Sequence, residues 1–301
     1  LINRCVFYCR GAVILGNESQ DSPAPNANKR EQVSRKITQL VDNLPLFPTD
    51  INQLLSSAVK PAEDGTEILR LIESDPKLRS QLLALARSYF GRAEDFESIE
   101  DAVQHVGVRP FVQLIGISYA REAIQQEFAA LKYLNDYVDH SEDIYIATDI
   151  LGGICSLPRE QRQMHALAGL VHDVGRLAII VADNKTSSRV LGTLWERMVS
   201  VVHEEKAELG MDHCDVGARI CRRWNFSPII QEAVLRHHSP IMNGDFSFAG
   251  ALIFLSHFVS ASDPSGEIIA SLLSSNVLSK LDLNPVDFEK ARDQYESRTQ
   301  K

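Results

Sequence analysis

A chain of 301 residues, 44% hydrophobic and 24% charged, has the balance of a globular protein long enough to bury a sizeable core, as one large domain or two small ones. Its formal net charge of -9 excludes non-specific attraction to nucleic acid or to an anionic membrane surface as the main activity, and leaves room only for a local basic patch. The five cysteines, Cys5, Cys9, Cys155, Cys214 and Cys221, are odd in number and show no CxxC spacing; this argues against a disulfide framework or a thiolate zinc site and fits a reducing cytoplasm.

In chain order, the first apolar stretch, Cys5 to Leu15, is broken by Arg10 and Gly11. It is too short for a membrane span and lacks the clean core of a signal peptide, so it reads as a short strand, a hairpin or a segment foreign to the fold. Residues 17–32 are polar, carry Pro23 and Pro25, and read as a flexible linker. From Val33, apolar residues at Ile37, Leu40, Val41 and Leu44 recur at helical spacing until Pro45. Asp50 opens a helix through Leu54, Leu55 and Val59, and Thr66 opens another to Glu73. Asp75-Pro76 is an N-cap and first-turn pair for a helix to Phe90, which Gly91 stops. Ser98 with Asp101 resembles a capping box for a helix ending at Gly107, and a further helix runs from Pro110 to about Phe128. This half shows no strong strand signal.

The second half repeats the pattern. Ile144, Thr148, Leu151 and Cys155 share a helical face up to Pro158, and a helix bearing His172 and Asp173 follows, closed by Asp183-Asn184. Helices are expected over Leu191–Glu208, from Asp212 or His213 to Arg223, from Ser227-Pro228 to His238, over Phe246–Ser260, and from Asn284-Pro285 to Tyr295.

Within this frame, the segment from Ala166 to Val181 is apolar except for a few residues that include the pair His172-Asp173. A buried carboxylate or imidazole is costly unless it is paired, hydrogen-bonded or bound to a metal. On one helix the two side chains would point about 100° apart, close enough to share an ion. The phrase LAGLVHDVGRL resembles the signature of the HD superfamily of metal-dependent phosphohydrolases. With Leu44-Pro-Leu-Phe-Pro48, Ser74-Asp-Pro-Lys-Leu78, Ser98-Ile-Glu-Asp-Ala102 with Val106-Gly107, and the run from Gly210 through Trp224 to His237-His238, the chain is similar to the HDOD domain, the hydrolase-related output domain of bacterial signalling proteins. The phrases come in the family's order and cover roughly residues 36–240.

The resemblance implies an all-α, multi-helix HD-like bundle in two packed subdomains. The domains expected are an N-terminal segment and linker over 1–32, an HDOD domain over 33–240 divided near residue 130, and a C-terminal helical extension over 241–301. It further implies that His140, His172 and Asp173 match three of the superfamily's metal ligands, with His172 and Asp173 also the catalytic-type pair. The fourth ligand, an Asp in a Leu-Ala-Asp phrase, is replaced here by His257 in Leu255-Ser256-His257. Imidazole suits iron, manganese or zinc, whereas magnesium prefers oxygen. Two readings stay open: a divalent transition metal, or no metal and a buried hydrogen-bonded cluster descended from one. His213, His237 and His238 are candidates for an outer ring around a phosphate ligand, although His237-His238 also closes a helix, where a cation needs no catalytic role.

Other residues have plainer readings. His165 is a satisfied helix residue, His203-Glu204-Glu205 a solvated face, and Cys214 and Cys221 small core residues. Arg121, Arg222 and Arg223 read as surface ion-pair residues, and Gly152-Gly153 as a site of close helix packing. Three functions are carried forward: a bacterial output or scaffold module with little or no catalysis, a metal-dependent phosphohydrolase of nucleotides or cyclic nucleotides, and a nucleotide sensor without turnover. Each implies a cytoplasmic protein that engages a signalling partner or a nucleotide, with a homodimer left open and neither nucleic acid nor membrane as partner.

Overall fold

The computed structural model describes residues 27–57, 64–90, 96–132, 134–183, 200–261 and 276–299. The architecture is all-α. In order, α1 spans Ala27–Asn43, α2 Thr49–Ser57, α3 Asp64–Glu73, α4 Pro76–Phe90, α5 Ile99–Val106 and α6 Val108–Phe128. There follow α7 (Leu134–Ile154), α8 (Arg159–Gly169), α9 (Val174–Ala182), α10 (Ser200–Leu209), α11 (His213–Arg223) and α12 (Pro228–Arg236). A minimal hairpin, β1 (Ile241–Met242) with β2 (Asp245–Phe246), precedes α13 (Phe248–Ser260) and α14 (Pro285–Thr299).

The caps explain why the boundaries fall where they do. Asp75 Oδ1 accepts from the amides of Lys77 and Leu78 at 2.9 and 3.0 Å, so α4 starts on Pro76, whose missing N–H costs nothing there. Ser98 and Asp101 form a reciprocal capping box on α5, each side chain accepting the other's backbone amide at 3.1 Å, and Asp212 with Asp215 does the same for α11. Gly107 ends α5 at φ 94°, a conformation that favours glycine.

Several expectations are corrected. α1 begins at Ala27, inside the stretch read as linker, because Lys29 to Gln32 are good helix formers continuous with the amphipathic face. α7 begins at Leu134, so His140 lies within the helix, and α14 runs on to Thr299. The hairpin was not expected; its turn is Asn243-Gly244, both at positive φ, the pair that two-residue hairpin turns favour. The stretch Cys5–Leu15 with Cys5 and Cys9, the linker to residue 26, Val59, Gly91, Asn184 and the first part of Leu191–Glu208 lie outside the described residues.

Buried side chains form two apolar clusters. The larger joins α1 to α6 with one face of α7, α8 to α12, and Ala249 and Ile253 of α13; the smaller joins the other face of α7 to the rest of α13, Val277, Leu278 and Leu281, and α14. The phrase Leu44–Pro48 docks onto the second half of the chain. Phe47 stacks on the fully buried Trp224 at 5.5 Å, Trp224 Nε1 donates to Pro45 O at 3.1 Å, and the Arg223 guanidinium donates twice to Leu44 O. By length and composition Arg159–Ala182 could cross a membrane, but 83% of that apolar window is buried in the fold and the backbone breaks between α8 and α9.

The tightest crossing is α9 on α11. A Cβ placed on Gly175 would lie 2.0 Å from His213 O and 2.5 Å from Gly217 N, and one on Gly217 would lie 2.8 Å from Val234 Cγ1. Only hydrogen at residue 175 lets the segment carrying Asp173 lie against the helix that begins at His213. Gly175→Ala is therefore expected to destabilise the fold by about 3 kcal/mol, the upper part of the usual overpacking range, measured by urea unfolding. A loss below about 1 kcal/mol would mean that the crossing relaxes freely.

Candidate metal centre

The pair His172-Asp173 does not sit on a helix. α8 ends at Gly169, α9 begins at Val174, and the four residues between them turn, with Asp173 at the N-cap position of α9. This corrects the expectation of one continuous helix and has a direct use. The Gly169 carbonyl, left without an intrahelical partner, accepts from His172 Nδ1 at 2.8 Å, which fixes that ring.

Around the pair, α7 supplies His140, α11 His213, the end of α12 His237 and His238, and α13 His257. All seven residues singled out in the sequence come together. Ring centroids of His257 lie 5.3 Å from His140, 5.0 Å from His172 and 5.9 Å from His237; those of His213 and His237 are 5.3 Å apart. The side chains of His172, His213 and His237 are fully buried and that of Asp173 is 5% exposed. His140 is the most open, at 13%.

Backbone carbonyls only accept, so they assign the tautomers. His172 Nδ1–H donates to Gly169 O, His237 Nδ1–H to Val234 O at 2.7 Å, and His257 Nδ1–H to Ile253 O at 2.8 Å. His213 is held by Glu205, whose Oε2 accepts from both its Nδ1 at 2.6 Å and its amide at 2.8 Å. Each of these four rings is tethered through Nδ1, and the three bonded to backbone keep Nε2 as the remaining nitrogen. Such second partners fix ring orientation in metal-binding histidines.

Asp173 lies at the centre. Its Oδ1 is 3.4 Å from Nε2 of both His213 and His237; its Oδ2 is 3.5 Å from His172 Nε2, 3.8 Å from His140 Nε2 and 2.8 Å from Arg176 Nε. Burial acts to raise the Asp173 pKa, but the Arg176 guanidinium and the adjoining histidines outweigh it and hold the carboxyl well below the usual range. Burial, reinforced by neighbouring rings, lowers His140 to about 3 and holds His172, His238 and His257 well below their ordinary value; His237 moves in the same direction. Neutral rings facing an ionised carboxylate present lone pair to lone pair. His172 Nε2, His257 Nε2 and Asp173 Oδ1 are buried without a hydrogen-bond partner among the described residues. A cation would relieve all three, so the donor set fits a metal.

Among the described residues, three groups bring their donor atoms within 4.8 Å of one another: His140, His172 and His257; His172, Asp173 and His237; and His213, Cys214, His237 and His238. Nitrogen predominates, which suits iron, zinc or manganese over magnesium. Three residues here were not singled out correctly. Glu205, read as part of a solvated face, is buried against His213. Cys214 places its sulfur 3.6 Å from His213 Nε2, and burial pushes its thiol pKa well up. Arg176 completes the site, and its i,i+3 spacing from Asp173 is the signal for it in the sequence. Outside the cluster, His203 is exposed, His165 packs near Phe248 at 5.6 Å, Cys221 is core, and Arg121 pairs with Glu142 at 3.2 Å.

Comparison with known proteins places this arrangement. The HDOD domain model matches residues 44–240. The chain belongs to the HDOD domain family. A crystal structure of a candidate phosphohydrolase from Shewanella amazonensis SB2B shares the fold with a TM-score of 0.67 at 19% identity, over 88% of this chain and 94% of that one. A candidate signal transduction protein from Marinobacter aquaeolei VT8 gives 0.60 at 20% identity, over 90% of this chain and 62% of that one. An uncharacterized protein of Treponema pallidum (strain Nichols) is 23% identical over 254 residues, 81% of this chain, which spans about half, 48%, of that relative. At these identities the solved structures establish the HDOD fold and leave the activity to the site itself.

The depressed histidines set a pH dependence. Unfolded histidine titrates near 6.5, while His165 is lowered to about 4 and His140 to about 3, in both cases chiefly by burial. Below about pH 6.5 the unfolded chain therefore binds more protons, and stability falls as pH drops through that value toward 4 and 3. Calorimetry on EDTA-treated protein is expected to show the midpoint falling between about pH 7.5 and 5, with a shallower slope for His257→Asn. A flat profile over that range would show that these rings titrate normally.

Proposed function

We infer that this protein is a signalling output module of the HDOD type whose histidine–aspartate cluster binds a divalent transition metal. The observation that carries the reading is the buried carboxylate of Asp173 set against the neutral imidazoles of His140, His172 and His237, acceptor facing acceptor. The residues that would hold an ion are His140, His172, Asp173 and His257, with His213 and His237 on the other oxygen. His257 in place of the usual carboxylate shifts the set toward nitrogen and so toward iron, manganese or zinc. Enclosure of the rings supports a regulatory or structural ion, in a module that acts through a signalling partner or a second copy of itself.

A second reading, hydrolysis of a nucleotide or cyclic nucleotide, draws support from one feature. Each oxygen of Asp173 faces two imidazoles, the disposition of a carboxylate shared between two ions. Bound ions would supply a water of pKa ~7 and polarise a phosphoryl oxygen. His172 and Asp173 would then be the catalytic pair, with His238 and Arg176, 3.3 Å from each other, beside them. A nucleotide held without turnover would instead show as thermal stabilisation with no product.

Elemental analysis of protein purified without a metal-affinity step is expected to give near-stoichiometric iron, manganese or zinc in the wild type and none in Asp173→Ala. EDTA is expected to lower the wild-type midpoint by about 5 °C or more and leave the variant unchanged. No metal in either protein after reconstitution would overturn the reading. Nucleotide turnover by the loaded protein that disappears in His172→Ala would move the assignment to the hydrolase.

A further inference from the structure

A separate charged cluster lies at the other end of α7, where α8 and α14 meet it. Asp149 is buried, and its carboxylate accepts hydrogen bonds from Gln163 and Arg298 and pairs with Arg162. Arg162 Nε and Gln163 Nε2 lie 2.9 and 3.1 Å from Oδ1, and Arg298 Nη1 lies 2.9 Å from Oδ2. Gln163 is oriented in turn by Tyr145, whose hydroxyl donates to its Oε1 at 3.1 Å. Beside this network opens a cavity of about 520 Å³, with Lys290, Gln294 and Ser156 on its wall. Lys290, Gln294 and Arg298 recur every four residues and so form one stripe of α14, while Arg162 comes from α8.

Docking of α14 onto α7 accounts for Asp149 and one guanidinium. It does not account for the rest. Lys290 is exposed and has no ion-pair partner among the described residues. Among the described residues that line the cavity, three cations face one carboxylate. The cations are not needed to finish α7 either. Leu157 N–H donates to Gly152 O and Ser156 N–H to Gly153 O, both at 3.0 Å, with Ser156 at φ 58°, so the closing turn satisfies those carbonyls. Gly152 and Gly153 are shaped to Arg162. A Cβ on Gly152 would lie 2.8 Å from Arg162 Cγ, and one on Gly153 3.3 Å from its Nη1. The glycine pair thus lets the arginine stem lie flat on α7 beside the cavity.

We propose that this cavity binds the phosphate group of a small ligand, a phosphomonoester or a diphosphate, between Arg162, Lys290 and Arg298. Guanidinium pairs with oxyanions through parallel N–H bonds, and lysine adds a compact charge. Gln294 and Ser156 supply neutral donors for the remaining oxygens, and the volume falls in the range of small-molecule sites. The site is distinct from the histidine cluster and independent of whether that cluster holds a metal. Its α14 wall lies outside residues 44–240.

Isothermal titration of the whole chain with inorganic phosphate and with pyrophosphate, at low chloride, tests this. One saturable site per chain is expected, tighter for pyrophosphate and weakened by salt. Lys290→Ala is expected to weaken binding about tenfold with an unchanged thermal midpoint, since the side chain has no structural partner to lose. Arg298→Ala is expected to weaken it at least as much, with partial recovery in Arg298→Lys. Protein treated with EDTA is expected to bind both anions like the untreated protein. The proposal is overturned by absence of saturable binding at millimolar anion, by binding indifferent to Lys290→Ala, or by binding lost on EDTA treatment, which would put the anion at the histidines.

Discussion

An ionised carboxylate that is almost wholly removed from water is the constraint on which this structure turns. Asp173 cannot be solvated, so it must be compensated by what the helices bring to it. Arg176, one turn along α9, provides a direct charge partner, and rings from α7, α11, α12 and α13 close the shell. Five separate stretches of chain thus converge on one residue. Their backbones must be placed to within a fraction of an ångström, since each imidazole is tethered at one nitrogen and aimed with the other.

That placement is achieved by packing. The glycines at the α9–α11 crossing let backbone meet backbone, and the stacking of Phe47 on Trp224 locks the N-terminal helices against the same α11. Thr148 and Ser256, hydrogen-bonded at 2.8 Å inside the apolar contact of α7 with α13, fix the register of the two helices that carry His140 and His257. A polar pair in an apolar interface specifies one alignment over neighbouring ones: Ser256 Oγ donates to Leu252 O and so accepts from Thr148, whose hydroxyl would lose that partner on sliding.

The helices were legible in the sequence where local chemistry sets them: Asp75-Pro76, the Ser98–Asp101 box and Pro45 act within a few residues of themselves. The break at residues 170–173 was not legible, since Leu170 and Val171 continue the apolar pattern and the turn is imposed by burial of the next two side chains. Of the site, the histidines could be found because their phrases are distinctive. Glu205 could not, since it belongs to a charged run that resembles any solvated face, and only the tertiary contact with His213 separates it from Glu204. Cys214 was hidden for the opposite reason: a small apolar residue on a buried face asks for no explanation. The charged cavity was half visible, in the i,i+4 rhythm of Lys290, Gln294 and Arg298, but its other wall lies more than a hundred residues earlier.

Helix α7, like α13, borders both apolar clusters, and it bears His140 and Asp149 about two and a half turns apart, roughly 13–14 Å along its axis. A helix packed on both faces moves as a rod. It cannot yield at one end and stay put at the other without breaking its own ladder. Two occupants at opposite ends of a rod that keeps one position are held at a fixed separation, and neither alters the affinity of the other, since coupling needs a second state for one of them to favour.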